Sequence, residues 1–266
     1  MRTLLLVLAV VLAGCHFGKK GDPFDTMSVE ELYRQGVQRL DDGNYDAATK
    51  AFTRLTTRFP FGPYTEQSQI NLAYAQYKND KQDDAYSTIN RFIKTYPTHK
   101  HIDYAFYLRG LINFNRSSGF LERYVGQDMT KRDPAMQRQS FDDFNALVTR
   151  YPESPYMPDA RQRMIYLRQA LAQSDLNIAL FYLKRNAYVA ASNRAKVVIE
   201  RYPQTPQAGD ALAVMVMSYK KLGQDKLADD AERVLQLNYP DHPYLHGKWP
   251  HYRSNMWKLI PLDNHS

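Results

Sequence analysis

Five times along this chain an aromatic residue is followed directly by proline: Phe59-Pro60, Tyr96-Pro97, Tyr151-Pro152, Tyr202-Pro203 and Tyr239-Pro240. The prolines are spaced by 37, 55, 51 and 37 residues. The outer spacings are equal, and the inner ones are the same unit lengthened by 18 and by 14 residues. A period of this size constrains the fold more than any other feature, because a short unit cannot bury its own apolar face and must stack on its neighbours. Aligned on the prolines, the units share a pattern. Twelve residues before each stand Ala48, Ala85, Ser140, Ala191 and Ala228, all small. Five before stand Leu55, Phe92, Leu147, Val198 and Leu235, all apolar. Eight before stand Phe52, Ile89, Phe144 and Ala195, with Glu232 breaking the pattern in the last unit. Offsets of three, four and seven make one helical stripe, which proline then terminates.

A second helical segment is predicted to follow each proline. Eight residues beyond it stand Ser68, Ala105, Ala160 and Ala211, small enough for two helix backbones to approach closely. Leu32, Gly36, Ala48, Phe52, Leu55 and Pro60 have the spacing of the tetratricopeptide repeat, which the first unit resembles. Ser28-Val29-Glu30-Glu31 reads as a capping box opening its first helix. The predicted fold is all-α, an α-solenoid of five tetratricopeptide-like helix pairs over residues 28–240. The pairs are Ser28–Arg58, Pro63–Thr95, His101–Arg150, Pro155–Arg201 and Thr205–Asn238. Glycines and Asp133-Pro134 place a loop near Ser117–Pro134 in the third unit. No proline or glycine lies between Asp159 and Arg185, so the fourth unit's additional 14 residues, about four turns, are predicted to lengthen its first helix.

The N-terminus reads as an address. Arg2 precedes an apolar run from Thr3 to Ala13, too short to span a bilayer comfortably, and Leu12-Ala13-Gly14-Cys15 follows. Cys15 is the only cysteine, which excludes an internal disulfide and any CxxC zinc or redox site. Small residues before a cysteine at this place resemble the lipobox of bacterial lipoproteins. The resemblance implies cleavage before Cys15, lipidation there, and anchoring by several acyl chains, which hold a domain far better than one. Residues 1–14 are then a signal peptide and 15–27 a lipidated linker. Lipoprotein families read an aspartate after the cysteine as retention at the inner membrane, so His16 in that place resembles an outer-membrane destination. A mean hydropathy of -0.58 excludes a polytopic membrane protein.

No GxSxG, P-loop, GxGxxG or HExxH occurs, and no metal or cofactor is expected. His242, His246 and His251 read as exposed tail histidines. Asp142-Asp143 and Asp229-Asp230 sit inside helices with one member turned outward and read as solvated faces, so no catalysis is expected. Tyr74, Tyr77, Tyr104, Tyr107 and Arg109 are candidates for a groove that takes an extended peptide. Basic residues among aromatics can also bind RNA, but the exported address argues against nucleic acid. Residues 241–266 form an aromatic tail with both tryptophans, Trp249 and Trp257, expected to dock on the fifth unit.

Particular stretches go beyond the generic repeat: Arg58-Phe59-Pro60-Phe61-Gly62-Pro63-Tyr64, Arg91-Phe92-Ile93, Ile102-Asp103-Tyr104, Leu108-Arg109-Gly110-Leu111, Arg132-Asp133-Pro134, Ala187-Tyr188-Val189-Ala190 and Asn193-Arg194. With the lipobox and the matching insertions, these resemble the BamD (ComL/YfiO) family of lipoproteins in the outer-membrane β-barrel assembly machinery. The resemblance implies a non-catalytic scaffold and receptor. Its N-terminal half would take C-terminal segments of unfolded outer-membrane proteins through Phe61, Gly62, Pro63, Tyr64, Asp103, Tyr104 and Arg109. Arg91 would contact other lipoproteins of the complex. Tyr188, Asn193 and Arg194 would face a POTRA domain of BamA, and Arg194→Glu would weaken that association with helicity unchanged. The alternatives are a tetratricopeptide lipoprotein that organises peptidoglycan synthesis, and a murein-cleaving enzyme.

Overall fold

Each aromatic-proline pair ends a helix for a local reason. The proline clashes with a helical conformation in the residue before it, so that residue turns extended. In the computed structural model, Phe59, Tyr96, Tyr202 and Tyr239 have φ between -126° and -139° and still donate their N–H to the carbonyl four residues back. Tyr151 donates likewise to Leu147, at 2.8 Å.

The structure describes residues 24–116 and 134–249, and the described residues are helical throughout, without strands. The helices are α1 (Val29–Asp41), α2 (Tyr45–Arg58), α3 (Pro63–Lys78), α4 (Gln82–Thr95), α5 (Ile102–Arg116), α6 (Pro134–Arg150), α7 (Met157–Lys184), α8 (Tyr188–Arg201), α9 (Gln207–Lys221) and α10 (Asp225–Asn238). They make the five pairs that the repeat predicts. The uninterrupted stretch in the fourth unit is the 28-residue helix α7. The predicted signal peptide, Cys15, the third-unit insertion and Trp257 lie outside the described residues.

The chain divides into two units, Met1–Ile112 and Asn113–Ser266. In the first, α1 packs on α2, α2 on α3 and α3 on α4, and α1 also touches α3. In the second, α6 packs on α7, and each helix through α10 on the next, with α7 touching α9. First helices therefore meet across a repeat as well as within it.

The register positions are the core. Ala48, Ala85, Ser140 and Ala191 are fully buried, as are Leu55, Phe92, Leu147, Val198 and Leu235. So are Ser68, Ala105, Ala160 and Ala211 on the first helices. Burying a leucine or phenylalanine contributes about 1.5–3 kcal/mol. Gly36 shows how close the helices come: a Cβ there would lie 2.5 Å from the Phe52 ring. The exception at Glu232 is resolved by an ion pair, since its carboxylate accepts from Lys220 at 2.7 Å and pushes the lysine pKa up.

Sequence also sets the tight turn inside four of the pairs. Gly43, Asp80, Asn186 and Gly223 each lie 17 residues before their proline, and each has φ between 59° and 71°. Only glycine, asparagine and aspartate enter this region readily. The N-terminal capping box forms: Ser28 N–H donates to Glu31 at 2.8 Å, and Glu31 N–H to Ser28 Oγ at 3.3 Å. The first of these bonds lowers the Glu31 pKa.

Candidate binding surfaces

The turn between α2 and α3 carries the first group of candidate residues. Gly62 has φ 110° and ψ 166°, a conformation barred to side chains with a Cβ. Pro63 then starts α3 with its φ fixed by the ring. Thr65, buried beneath the turn, donates its hydroxyl to the Phe59 carbonyl at 2.5 Å, and its N–H to Gly62 O at 3.0 Å. This leaves Phe61 86% exposed. Phe61 is therefore not a buried turn anchor. Tyr64 is 39% exposed and rests its ring 5.2 Å from Tyr33.

Asp103, Tyr104 and Arg109 lie on α5. The Asp103 carboxylate accepts from the Tyr104 N–H at 2.7 Å. The Arg109 guanidinium donates to Asn90 of α4 at 2.8 Å and stacks over Phe106 at 5.2 Å. Beside Asn90, Arg91 is exposed. Tyr74, Tyr77, Tyr104 and Tyr107 are all half-buried, so each divides its ring between packing and surface.

His99 ties the α4–α5 turn to α3. Its ring stands edge-on to Phe92 at 5.2 Å, with Nε2 3.9 Å from Glu66. Its Nδ1 accepts the His101 N–H at 3.1 Å, which fixes the proton of the neutral ring on Nε2. Burial lowers the His99 pKa, and Glu66 opposes that only in part. Because the folded value lies below the unfolded one, this group's contribution is full above about pH 6.5 and is lost as pH falls toward the folded value. Wild type should therefore lose denaturant resistance between pH 7.5 and 5.5 more steeply than His99→Phe. Equal slopes in parallel titrations would remove His99 from the account.

The third group lies on α8. Asn193 is exposed, and Tyr188 donates its hydroxyl to Asn186 at 2.8 Å while its ring packs on the core. Arg194 sits nine residues before its proline. The other units hold Ala51, Thr88, Asp143 and Ala231 at that place, all buried. Arg194 reaches from this position to Asp175 on α7, with Nη1 3.3 Å from Oδ1. Asp175 is 5% exposed at its side chain, and its Oδ2 has no hydrogen-bond partner among the described residues. Arg194 keeps 38% of its side chain exposed.

Two readings of acids and histidines need correction. Asp142 is the member turned outward, but its neighbour Asp143 is not part of a solvated face: it is 1% exposed and accepts from Asn113 Nδ2 at 2.6 Å. His242 is not an exposed tail histidine: only 10% of its side chain is exposed, with Nε2 3.1 Å from Asp210. Asp210 also accepts from the Trp249 indole N–H. A short 3-10 turn, Pro243–His246, and Trp249 thereby pack against α9 of the fifth unit. A further pair of contacts holds the N-terminal approach. Arg58 donates to the carbonyls of Phe24 and Met27 at 2.8 and 2.9 Å, and Arg54 pairs with Asp25 at 2.9 Å.

Among the described residues no group of acids, histidines or cysteines could hold a metal ion, and no helix is long and apolar enough to cross a membrane. What the described surfaces offer is fixed aromatic and guanidinium groups.

Residues 25–234 match the model of the family YfiO, described as outer membrane lipoprotein. The outer membrane protein assembly factor BamD of Xylella fastidiosa (strain 9a5c) is 46% identical over 259 residues, covering 97% of this chain and 89% of the relative. The protein of the same name from Neisseria meningitidis serogroup B (strain ATCC BAA-335 / MC58) is 42% identical, covering 84% and 83%. That of Vibrio cholerae serotype O1 (strain ATCC 39315 / El Tor Inaba N16961) is 36% identical, covering 89% and 98%. Among solved structures, a thermophilic tetratricopeptide protein of Thermus thermophilus aligns with 83% of this chain and 96% of its own, at 16% identity and a TM-score of 0.36.

Proposed function

This chain belongs to the YfiO family of outer membrane lipoproteins, and from that premise we propose that it acts in outer membrane protein assembly as a non-catalytic scaffold and receptor. It is anchored through lipid on Cys15 at the periplasmic face of the outer membrane. Its first unit receives the C-terminal segments of unfolded outer-membrane proteins. Its second unit, through Tyr188, Asn193 and Arg194, holds a POTRA domain of a BamA-like barrel. Arg91 meets a further lipoprotein of the same complex.

The observation that carries the receptor reading is Phe61, 86% exposed on a turn locked by Gly62, Pro63 and Thr65. An exposed aromatic group on a fixed backbone binds without the entropy cost of ordering a loop. A chain end that finishes in an aromatic residue and a free carboxylate presents both a ring for Phe61 and Tyr64 and an anion for Arg109. A planar guanidinium meets such a carboxylate with paired donors.

Phe61→Ser should weaken binding of a peptide ending in a C-terminal phenylalanine by about tenfold or more, the range of an aromatic hot spot. The melting temperature should stay put, because the side chain buries almost nothing. Amidating the peptide's C-terminus should produce a separate loss. Equal affinity of wild type and Phe61→Ser for the peptide removes Phe61 from the receptor. Crosslinking in the native envelope tests the scaffold: recovery of the chain without any BamA-like barrel sinks that part of the reading.

A further inference from the structure

Three side-chain amides are joined in a row across two first helices, α7 and α9. Gln207 Nε2 on α9 donates to Gln173 Oε1 on α7 at 3.2 Å, and Gln173 Nε2 donates to Asn177 Oδ1 at 2.9 Å. All three residues are half-buried. The row ends in the Nδ2 group of Asn177, which carries two donor hydrogens.

The repeat register marks the same place elsewhere. Gln173 and Asn177 stand 30 and 26 residues before Pro203. At those offsets from Pro97 stand Gln67 and Asn71 on α3, and Gln67 Nε2 again donates to Asn71 Oδ1, at 3.2 Å. The first helix pair holds Glu30 and Arg34 there, and the fifth Asp210 and Val214. In the third pair the insertion breaks this count, and counting forward from the preceding proline gives Tyr104 and Leu108. Where α9 begins with Gln207, four residues past its proline, His101 stands before α5, so no third amide extends the pair on α3.

The fifth pair shows what lies on such a place. Asp210 is the counterpart of Gln173, and the chain's own residues 242–249 rest on it. His242 Nε2 is 3.1 Å from Asp210 Oδ1, and the Trp249 indole N–H donates to the same oxygen. Gly209 leaves room for this, since a Cβ there would meet the His242 ring at 3.0 Å. Gln207 lies three residues before Asp210, on the same face of α9. The amide row therefore borders a place where polypeptide is already seated.

A carboxamide offers donors and an acceptor, the groups that a peptide bond itself presents. The row has no charge and no apolar bulk with which to select a side chain. Hydrogen bonds to an extended main chain give affinity whatever side chains it bears. The bonds within the row hold each amide in place, which lowers the entropy cost of using it. Stabilising α7 needs only Gln173 and Asn177, one turn apart. That role leaves Gln207, reaching over from another helix, without a part.

We propose that the Gln207–Gln173–Asn177 row binds the main chain of an extended polypeptide, beside the place at Asp210 that residues 242–249 fill. This site is separate from the turn at Phe61, and reads neither an aromatic end group nor a free carboxylate.

The probe is a soluble peptide of alternating threonine and alanine, amidated at its C-terminus, added to the full mature chain labelled with nitrogen-15. The side-chain amide signals of Gln173 and Asn177 should shift. A copy with alternate amide bonds replaced by esters keeps the side chains but loses N–H donors and weakens the carbonyl acceptors. It should bind about fivefold more weakly. Asn177→Ala should weaken the parent peptide about fivefold with the unfolding midpoint unchanged, and Phe61→Ser should leave its affinity alone. Gln207→Ala decides the matter if Asn177→Ala perturbs α7. Absence of binding, unmoved side-chain amide signals in the bound chain, or equal affinity for ester and amide peptides each overturn the proposal. An Asn177→Ala chain that is less stable yet binds like wild type does so too, because the amides then serve the helix alone. Loss of binding in Phe61→Ser assigns the peptide to the Phe61 turn and overturns it equally.

Discussion

Arg194→Glu should destabilise the second unit by more than an exposed ion pair is worth. The substituted carboxylate would face Asp175, whose side chain is 5% exposed and whose Oδ2 already lacks a partner among the described residues. Exposed pairs contribute about 0–1 kcal/mol, whereas stranding a buried charge costs about 3–5 kcal/mol. Arg194 is itself 38% exposed, which moderates the loss, but the charge left behind is the buried one. The expected fall is thus about 2–4 kcal/mol. Arg194→Gln should lose less, and adding Asp175→Asn to it should restore most of the stability by removing the buried charge. Denaturant unfolding of the four proteins checks this. If Arg194→Glu unfolds like wild type, the pair does not hold α7 to α8. The consequence for function is direct. The sequence leads to an expectation that this substitution weakens partner association and spares the helices, and Asp175 revises it. The Arg194→Gln, Asp175→Asn double variant is the better probe of partner binding, because it removes the guanidinium and leaves no orphan charge.

The second large effect lies in the first unit. Phe52→Ala should cost about 3–5 kcal/mol, as the phenyl ring is fully buried between α1 and α3 residues. The converse substitution presses on the same ring. Gly36→Ala gains about 1 kcal/mol of helix propensity, yet its Cβ would fall 2.5 Å from Phe52 Cε1. Overpacking of this kind costs about 1–3 kcal/mol, so the net sign should be destabilising. Phe52→Leu combined with Gly36→Ala should lose less than the two single changes added together, because each relieves the other. Additive losses would mean that the glycine is not there for the ring.

The fold was legible because the repeat writes its register in residue types. Alanine, a large apolar residue and proline recur at fixed offsets, and each offset meets the same surroundings in every pair. Even the Glu232 exception has a nearby cation in Lys220. The candidate surfaces were legible differently. The Phe61-Gly62-Pro63-Tyr64 turn could be read locally, because glycine and proline dictate its backbone. Asp175 could not be read as Arg194's partner, since pairing depends on how two helices meet. A local signal did exist: Leu171, Ala172, Leu176 and Ala179 mark a buried stripe, and Asp175 lies within it. An acid on such a stripe demands a partner. Asp143 gave the same signal, at a register position filled by alanine or threonine in three other units. His242 gave none, because its burial arises from Asp210 and Trp249 in a segment without repeat periodicity.

Arg58 and Arg54 have a mechanical meaning for the proposed anchor at Cys15. They grip the chain at residues 24–27, and in sequence Phe24 lies nine residues after Cys15. Nine residues reach about 30 Å when fully drawn out. With the anchor as proposed, the first repeat, with Phe61 at its edge, would be kept within a few nanometres of the bilayer. A tug on such a lipid would be borne by two guanidinium groups of α2 before it could unwind the first turn of α1.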